Sequence, residues 1–367
     1  MSSSSPALQS VVLAGGGTAG HISPLLATAD ALRRRDPNVR ITVLGSHGGL
    51  EETLVPERGY DLRLIPKVAF PRRPNAAAAR FPLAFRGAIA QTADIIGEVD
   101  AQVVAGFGGY VSPPAFLAAR KLKLPMVVHD GNARAGLATR LGSRFTPYVA
   151  TAFSATKLPH AQLLGMPLRR EITTLDRAAL RPEALRTFGL RDDLPTLLVT
   201  GGSSGAVSVN EPVAASAAAF RDAGVQVLHV TGKGKEVQVS GGAVADVPYV
   251  VLPYADRMDL AYAAADLVVT RAGGNMVTET STIGLPAVFV PLPIGNGEQR
   301  LNAADVVAAG GALLVDNADF TPDYLAREVI PLVKDPQRLA SMASAARAQG
   351  HGDADERLAE LIAGAAR

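Results

Sequence analysis

Twice along this chain of 367 residues a short aliphatic run ends in a glycine-rich loop and gives way to a helix-forming stretch. Ser10–Ala14 leads into residues 15–20, and Thr196–Thr200 leads into residues 201–205. Runs of Val, Ile and Leu without polar alternation mark strands buried on both faces, as in parallel sheets covered by helices. The same signal predicts strands over 40–44, 102–105, 126–128 and 148–152 in the first half. In the second half it predicts them over 226–231, 249–252, 267–270 and 287–290, with helices such as 24–35 and 113–122 between strands. The fold class is therefore α/β: two doubly wound Rossmann-like domains facing across a cleft. A chain of this length outgrows a single core, and 48% hydrophobic residues suffice to fill two. The expected domains are 1–164, 165–335 and a helical tail, 336–367, that returns toward the first domain.

Composition removes several classes of chemistry. The chain has no cysteine, so disulfides, thiolate nucleophiles and cysteine-ligated zinc are excluded. Met1 to Ser10 is serine-rich, with no basic segment leading into an apolar run, and no stretch reaches the roughly 20 apolar residues of a spanning helix. The expectation is a protein neither exported by a recognisable signal nor integral to a membrane. Net charge is only +2, yet between Asp61 and Asp94 no acidic residue occurs while Arg63, Lys67, Arg72, Arg73, Arg80 and Arg86 do. Phe70, Phe81, Leu83 and Phe85 interleave with these cations. Such a segment can seat its apolar side chains among lipid headgroups while the cations meet an anionic membrane surface, and Phe81, Phe85 and Arg86 are its expected anchors. A structural loop is the competing reading. No RNA-binding motif accompanies the cations, so nucleic acid is not an expected partner.

The chemistry should sit at the carboxyl ends of the strands, where open α/β sheets bind ligands. Residues 15–21, Gly-Gly-Gly-Thr-Ala-Gly-His, literally contain G-x-G-x-x-G. A dinucleotide fold would also need an acidic residue at the end of the second strand, but that strand ends in Gly45-Ser46-His47. What remains is a helix N-terminus suited to phosphate, with His21 at its entry, where an imidazole can accept a proton from a sugar hydroxyl. A capping or merely buried histidine is the alternative. Residues 106–112, Gly-Phe-Gly-Gly-Tyr-Val-Ser, again join a strand to a helix and offer backbone donors to an anionic group, with tight packing an equal alternative use of these glycines. In the second half, residues 201–205 and the stretch from Arg271 to Glu279 repeat the design, and two such loops suit a nucleotide diphosphate. Glu279 can accept from both ribose hydroxyls, with solvated surface the commoner reading of an isolated glutamate, and the polar loop 291–302 can read sugar hydroxyls, with a plain surface turn the competing account. The one D-x-D, Asp353 and Asp355, reads as solvated surface, and no metal is expected.

Four blocks together resemble the MurG family of N-acetylglucosaminyltransferases, over about Val11 to Ala303, and the resemblance implies that the two domains form a GT-B fold. The blocks are GGGTAGHISP from Gly15, HDGN from His129, GMPLR from Gly165, and the pair RAGGNMVTE from Arg271 with GNGEQRLNA from Gly295. The resemblance implies a UDP-N-acetylglucosamine site lined by Thr18, Ala19, Gly20, Asn132, Arg169, Ser203, Gly274, Asn275, Met276, Val277, Thr278, Glu279 and Gln299, with uracil read near Ala255. Gly106, Gly108, Gly109 and Tyr110 are the expected acceptor-binding residues. Asp130 and Gly131 stand where the family usually carries glutamate and a larger residue, Met166 where it carries asparagine, and Met276 where a hydroxyl residue is common. The implied reaction is inverting transfer of N-acetylglucosamine to the 4-hydroxyl of the muramyl unit of a polyprenyl-pyrophosphoryl-MurNAc-peptide, lipid I. His21 is the expected base, and Arg169, Ser203 and the Gly274 and Asn275 amides meet the leaving charge without a cofactor. The expected location is peripheral, on the cytoplasmic face of the plasma membrane. Rival readings are another GT-B transferase, a UDP-sugar epimerase, or a non-catalytic UDP-sugar-sensing scaffold.

Overall fold

The fold is built on two sheets in which every strand pairing is parallel, as seen in a computed structural model describing residues 8–71, 76–239, 246–294 and 296–366. Arg72, Arg73 and Gly295 lie outside the described residues. The first sheet comprises β1 (Ser10–Ala14), β2 (Arg40–Ser46), β3 (Asp61–Ile65), β4 (Val103–Gly106), β5 (Met126–Asp130), β6 (Val149–Thr151) and β7 (Ala161–Leu163). Its order is β3-β2-β1-β4-β5-β6-β7. The second comprises β8 (Thr196–Thr200), β9 (Gln226–Val230), β10 (Tyr249–Leu252), β11 (Leu267–Thr270), β12 (Ala287–Phe289) and β13 (Ala312–Leu314), in the order β10-β9-β8-β11-β12-β13. Both orders reverse direction beside the first strand, at β1/β4 and at β8/β11. Loops leaving those paired strands diverge to opposite faces and open a crevice there.

Period-two alternation explains why β1 reads as uniformly apolar. Val11 and Leu13 join a core with Ile22, Leu25 and Leu32 of α1 (Ala19–Arg35), while Val12 and Ala14 join another with Ile96 and Phe116. Ile96 belongs to α3 (Ala76–Glu98) and Phe116 to α4 (Ser112–Lys121); α2 (Glu51–Glu57) precedes them in the chain. The second sheet has a core of its own around Leu197, Val199, Phe220, Val269 and Met342.

Three strands carry no strong sequence signal and appear only in the fold. β3 mixes charge with aliphatics, β7 is exposed throughout, and β13 is a short run after two glycines. The first long helix begins at Ala19 rather than at Pro24, because the Ile22 N–H already bonds the Thr18 carbonyl at 3.1 Å. Pro24 lies inside the helix past its first turn, and its missing N–H leaves the Gly20 carbonyl without the donor that would normally come from four residues on. The start at Ala19 puts His21 in the first turn.

The chain divides into two compact units, Met1–Arg169 with Gly352–Arg367, and Arg170–His351. The tail therefore splits. Helix Pro336–Arg347 packs on the second unit through Met342, whereas helix Ala354–Ala365 lays Leu358, Ala359 and Ile362 into the core beneath α1. The D-x-D reading also needs correction. Asp355 is only 4% exposed and pairs with the Arg34 guanidinium at 2.5 Å, which Glu356 also meets at 2.7 Å. The α1 end and the last helix bury this carboxylate between them, so its role is to fasten the two helices.

Candidate active site

In the first unit the loops after β1 and β4 interlock through their glycines. A Cβ at Gly109 would lie 2.6 Å from the Gly16 carbonyl oxygen, and one at Gly108 would lie 2.8 Å from His21 Cδ2 and 2.9 Å from His21 Nε2. Gly108 has φ +101, a conformation side chains rarely adopt, so both backbone and space require glycine here. Ser112 locks the second loop, its hydroxyl lying 3.0 Å from the donating Gly108 N–H and 3.1 Å from the Ala14 carbonyl. Gly106 is the buried end of β4 under the Phe116 ring and shapes this loop from below. Tyr110 stays 43% exposed, with Lys67 Nζ 5.3 Å from its ring centroid.

His21 is half-buried, with Nδ1 3.2 Å from the Gly16 carbonyl oxygen and 3.2 Å from Thr18 Oγ1. A carbonyl can only accept, so Nδ1 carries the proton and Nε2, facing Gly108, keeps its lone pair. Burial pushes the imidazole below its ordinary value of 6.5, opposed by the Gly16 bond and by the charges of Asp130 and Glu51. The ring is thus neutral at pH 7 and able to take a proton. Thr18 and Gly20 are exposed at the helix mouth and Ala19 is half-buried.

Glu51 is a residue that sequence reasoning missed. It is 0% exposed at the head of α2 and accepts from Gly17 N–H at 2.8 Å, Ser46 N–H at 2.9 Å and the Ser46 hydroxyl at 3.2 Å. Gly16, Gly45 and Gly49 crowd it so closely that a Cβ on any of them would overlap the side chain. The legible hint was three glycines flanking one glutamate in two neighbouring loops.

The HDGN and GMPLR blocks meet because His129, fully buried beside β6, lies with Nε2 3.1 Å from the Gly165 carbonyl. Asp130 accepts from the Asn132 and Gly136 amides, each at 2.9 Å, and from the Thr139 hydroxyl, which fixes the loop carrying Asn132. Met166 fills the space beside Gly131, its Cε 2.9 Å from where a Cβ would stand. Arg169 is half-buried and ends the first unit's main segment.

In the second unit the loops after β8 and β11 leave adjacent strands, with Thr200 registered against Thr270. Buried Arg271 ties them together. It donates to Ser208 Oγ at 2.6 Å, Asn317 Oδ1 at 2.8 Å and the Val290 carbonyl at 2.9 Å. Ser203 is exposed in the first of these loops, whose Gly205 packs so closely on Gly232 that neither tolerates a Cβ. Gly274, Asn275 and Met276 form the first turn of helix Gly274–Ile283. Val277 is buried with its N–H bonded to Gly273, and the Thr278 hydroxyl bonds the Gly274 carbonyl at 2.9 Å, so these two side chains serve the helix.

Glu279 is half-buried and accepts from the hydroxyl of fully buried Tyr262 at 2.6 Å, with Met276 Sδ 3.6 Å from the same hydroxyl. Tyr262 was not legible as a site residue. Gln299 spends its side-chain oxygen on the Leu292 N–H at 2.9 Å, which leaves the amide NH2 to donate. Ala255 is buried just beyond β10, behind Tyr254, over whose ring Lys233 Nζ sits 4.9 Å from the centroid.

Residues 11–151 match the glycosyltransferase family 28 N-terminal domain and residues 196–358 the family 28 C-terminal domain. The crystal structure of Acinetobacter baumannii MurG superposes with a TM-score of 0.79 at 29% identity, covering 96% of this chain and 99% of that one. A Streptomyces coelicolor UDP-N-acetylglucosamine--N-acetylmuramyl-(pentapeptide) pyrophosphoryl-undecaprenol N-acetylglucosamine transferase is 54% identical over 352 residues, 96% of this chain and 97% of the relative. This chain belongs to the MurG family. The Acidothermus cellulolyticus MurG-family transferase of the same description is 56% identical over 360 residues, covering 97% of this chain and 98% of its own. The GT-B architecture expected from the sequence is the one shared with the MurG structure.

The side chains expected from the sequence as membrane anchors lie on and beside α3. Phe81 and Phe85 are half-buried and stack on each other at 5.2 Å, and Phe70 meets Phe81 edge-on at 5.3 Å. Leu83 at 80% and Phe70 at 68% are the most exposed apolar side chains of this surface, beside exposed Arg80 and Arg86. Arg63 is not a free cation, since it pairs with Asp61 at 3.1 Å and Glu98 at 3.6 Å. Among the described residues no helix is long and apolar enough to cross a membrane.

Proposed function

We propose that this chain transfers N-acetylglucosamine from UDP-N-acetylglucosamine to the 4-hydroxyl of the N-acetylmuramyl unit of undecaprenyl-pyrophosphoryl-MurNAc-pentapeptide, converting lipid I to lipid II in peptidoglycan synthesis. The observation that carries this reading is the 54% identity, over 96% of the chain, to a transferase described by that donor and acceptor. In the reaction the acceptor O–H gives its proton to His21 Nε2. The oxygen then bonds the anomeric carbon from the face opposite UDP, and the C–O bond to the diphosphate breaks with its electron pair leaving on UDP.

The second unit holds the donor. The Ser203 loop and the Gly274–Met276 amides, at the positive end of a helix of 10 residues, neutralise the diphosphate, and Glu279 takes the ribose hydroxyls. Arg169, the last residue of the first unit's main segment, adds a cationic side chain. The Gln299 NH2 reads a sugar hydroxyl, and the backbone at Ala255 reads uracil. In the first unit His21 is the base, Thr18–Gly20 and Asn132 border the donor sugar, and the Gly108–Tyr110 loop takes the acceptor. Lipid I demands a membrane surface, and the Phe70, Phe81, Leu83 and Phe85 cluster with Arg80 and Arg86 supplies an apolar patch ringed by cations. This docking is peripheral, on the cytoplasmic leaflet.

The deciding experiment mixes purified protein with labelled UDP-N-acetylglucosamine and a polyprenyl-pyrophosphoryl-muramyl acceptor. Label should appear in a disaccharide lipid with β stereochemistry at the new bond. Nucleotide binding without transfer, or release of an epimerised sugar nucleotide, would sink the reading. His21→Ala should leave UDP affinity near normal and lower turnover by about 10²- to 10⁴-fold; near-normal turnover removes His21 from the role.

A further inference from the structure

The Gly16–Gly17 peptide group is bonded at both ends to titratable side chains. Its N–H donates to Glu51 Oε2 at 2.8 Å, and its C=O accepts from His21 Nδ1 at 3.2 Å. We propose that Glu51 is a positioning residue acting on His21 through this one peptide group, holding the imidazole in the tautomer whose Nε2 takes the acceptor's proton. The proposal rests on His21 being the base.

Three features carry the argument. Glu51 acts only as an acceptor, toward Gly17 N–H, Ser46 N–H and Ser46 Oγ, which is the hydrogen-bonding pattern of an ionised carboxylate. It is fully buried, so its field is weakly screened. An anion bonded to an amide N–H draws the amide's electrons toward its oxygen, and hydrogen-bonded chains strengthen one another in this way. The Gly16 carbonyl thereby becomes a better acceptor for Nδ1–H, and a stabilising neighbour for the imidazolium formed when Nε2 is protonated. This divides the work as a base and its carboxylate orienter do in hydrolytic triads, with a peptide inserted between them. Glu51 itself receives no proton, because the amide N–H stays on Gly17. The charged groups acting on the ring are Glu51 from the head of α2 and Asp130 from the end of β5, and both favour the imidazolium.

The first test uses the unmodified protein. With ring-15N-labelled histidine and the His21 signals identified by their loss in His21→Ala, NMR at pH 8 should report a protonated Nδ1 and a bare Nε2. A protonated Nε2 overturns the proposal, whether or not any Glu51 variant folds. The second test is Glu51→Gln, whose single acceptor oxygen cannot serve both the Gly17 and Ser46 amides. Turnover should fall roughly tenfold to a hundredfold, with donor KM within about twofold. The acid limb of kcat/KM should move to lower pH, because removing the anion makes the imidazolium less stable. Made in the His21→Ala background, the same change should cost nothing more; an equal loss in both backgrounds means Glu51 only supports the fold. Ser46→Ala keeps the charge and should leave the acid limb in place. If His21→Ala abolishes turnover while Glu51→Gln is silent, the relay fails and the base survives; if His21→Ala is itself silent, the base reading fails first.

Discussion

Gly108 shows how tightly one backbone position governs a neighbouring side chain. A methyl there would stand 2.9 Å from the nitrogen proposed to take the proton, on a residue with φ +101. Gly108→Ala should therefore lower turnover by at least about tenfold through a displaced imidazole, with UDP affinity retained, as steady-state kinetics would reveal. Tyr262 does comparable work in the second unit, where its hydroxyl occupies one face of Glu279. Tyr262→Phe should raise the UDP Kd by about tenfold, the worth of a hydrogen bond to a charged group, with a smaller effect on 2′-deoxy-UDP; equal losses for both nucleotides would argue that Tyr262 does not act through Glu279. His229 makes a different prediction. Burial between Asn210 and Tyr249 lowers its pKa from 6.5 to about 4. Between those values the folded state binds fewer protons than the unfolded one, so stability rises with pH across the window and is lost as pH falls. The full change is about 3 kcal/mol, and denaturant titrations at pH 7 and pH 4.5 should show a loss smaller in His229→Gln than in the wild type by most of that amount, the loss that remains including His21 and His129, which burial also shifts down.

The apolar cluster proposed to dock on a membrane lies on and just before helix α3. Because Phe81 and Phe85 are engaged with each other, Leu83 and Phe70 are the side chains most able to enter a lipid surface. Leu83→Ser with Phe70→Ser should reduce sedimentation with anionic vesicles more than Phe81→Ser with Phe85→Ser does, and binding should weaken as salt rises. Unchanged vesicle binding in both variants would leave this surface without a membrane role. The last helix is a second case, since its Leu358 and Ile362 are fully buried beneath α1. Ending the chain at His351 should destabilise the first unit by roughly 3–6 kcal/mol, from two large aliphatic side chains left without a core, and proteolysis should then attack that unit first.

Taken together, the two units share one design, a Rossmann sheet whose ligand loops leave the two strands at its topological switch point. The proposed reaction assigns the leaving diphosphate to loop amides and Arg169, with no metal, and Asp355, half of the only D-x-D, is committed to Arg34. Transfer should therefore persist in excess chelator; a loss of activity restored by Mg²⁺ would overturn the claim that protein groups alone meet the leaving charge.

Local pattern fixed much of this protein in advance. Aliphatic runs ending in glycine are a property of a few consecutive residues, and they located most of the strands, the glycine-rich loops that follow them and His21 at a helix entry. What they could not supply was the partner of a buried polar group. Glu51 meets Gly17 across 34 positions and Arg34 meets Asp355 across 321, distances bridged only once the strand order sets which loops and helices are neighbours. A glutamate or aspartate in isolation reads as solvated surface, because charge is costly to bury unless a partner awaits it. Whether that partner exists is decided by packing between elements far apart in the chain, which is why Glu51, Tyr262 and Asp355 became legible only in three dimensions.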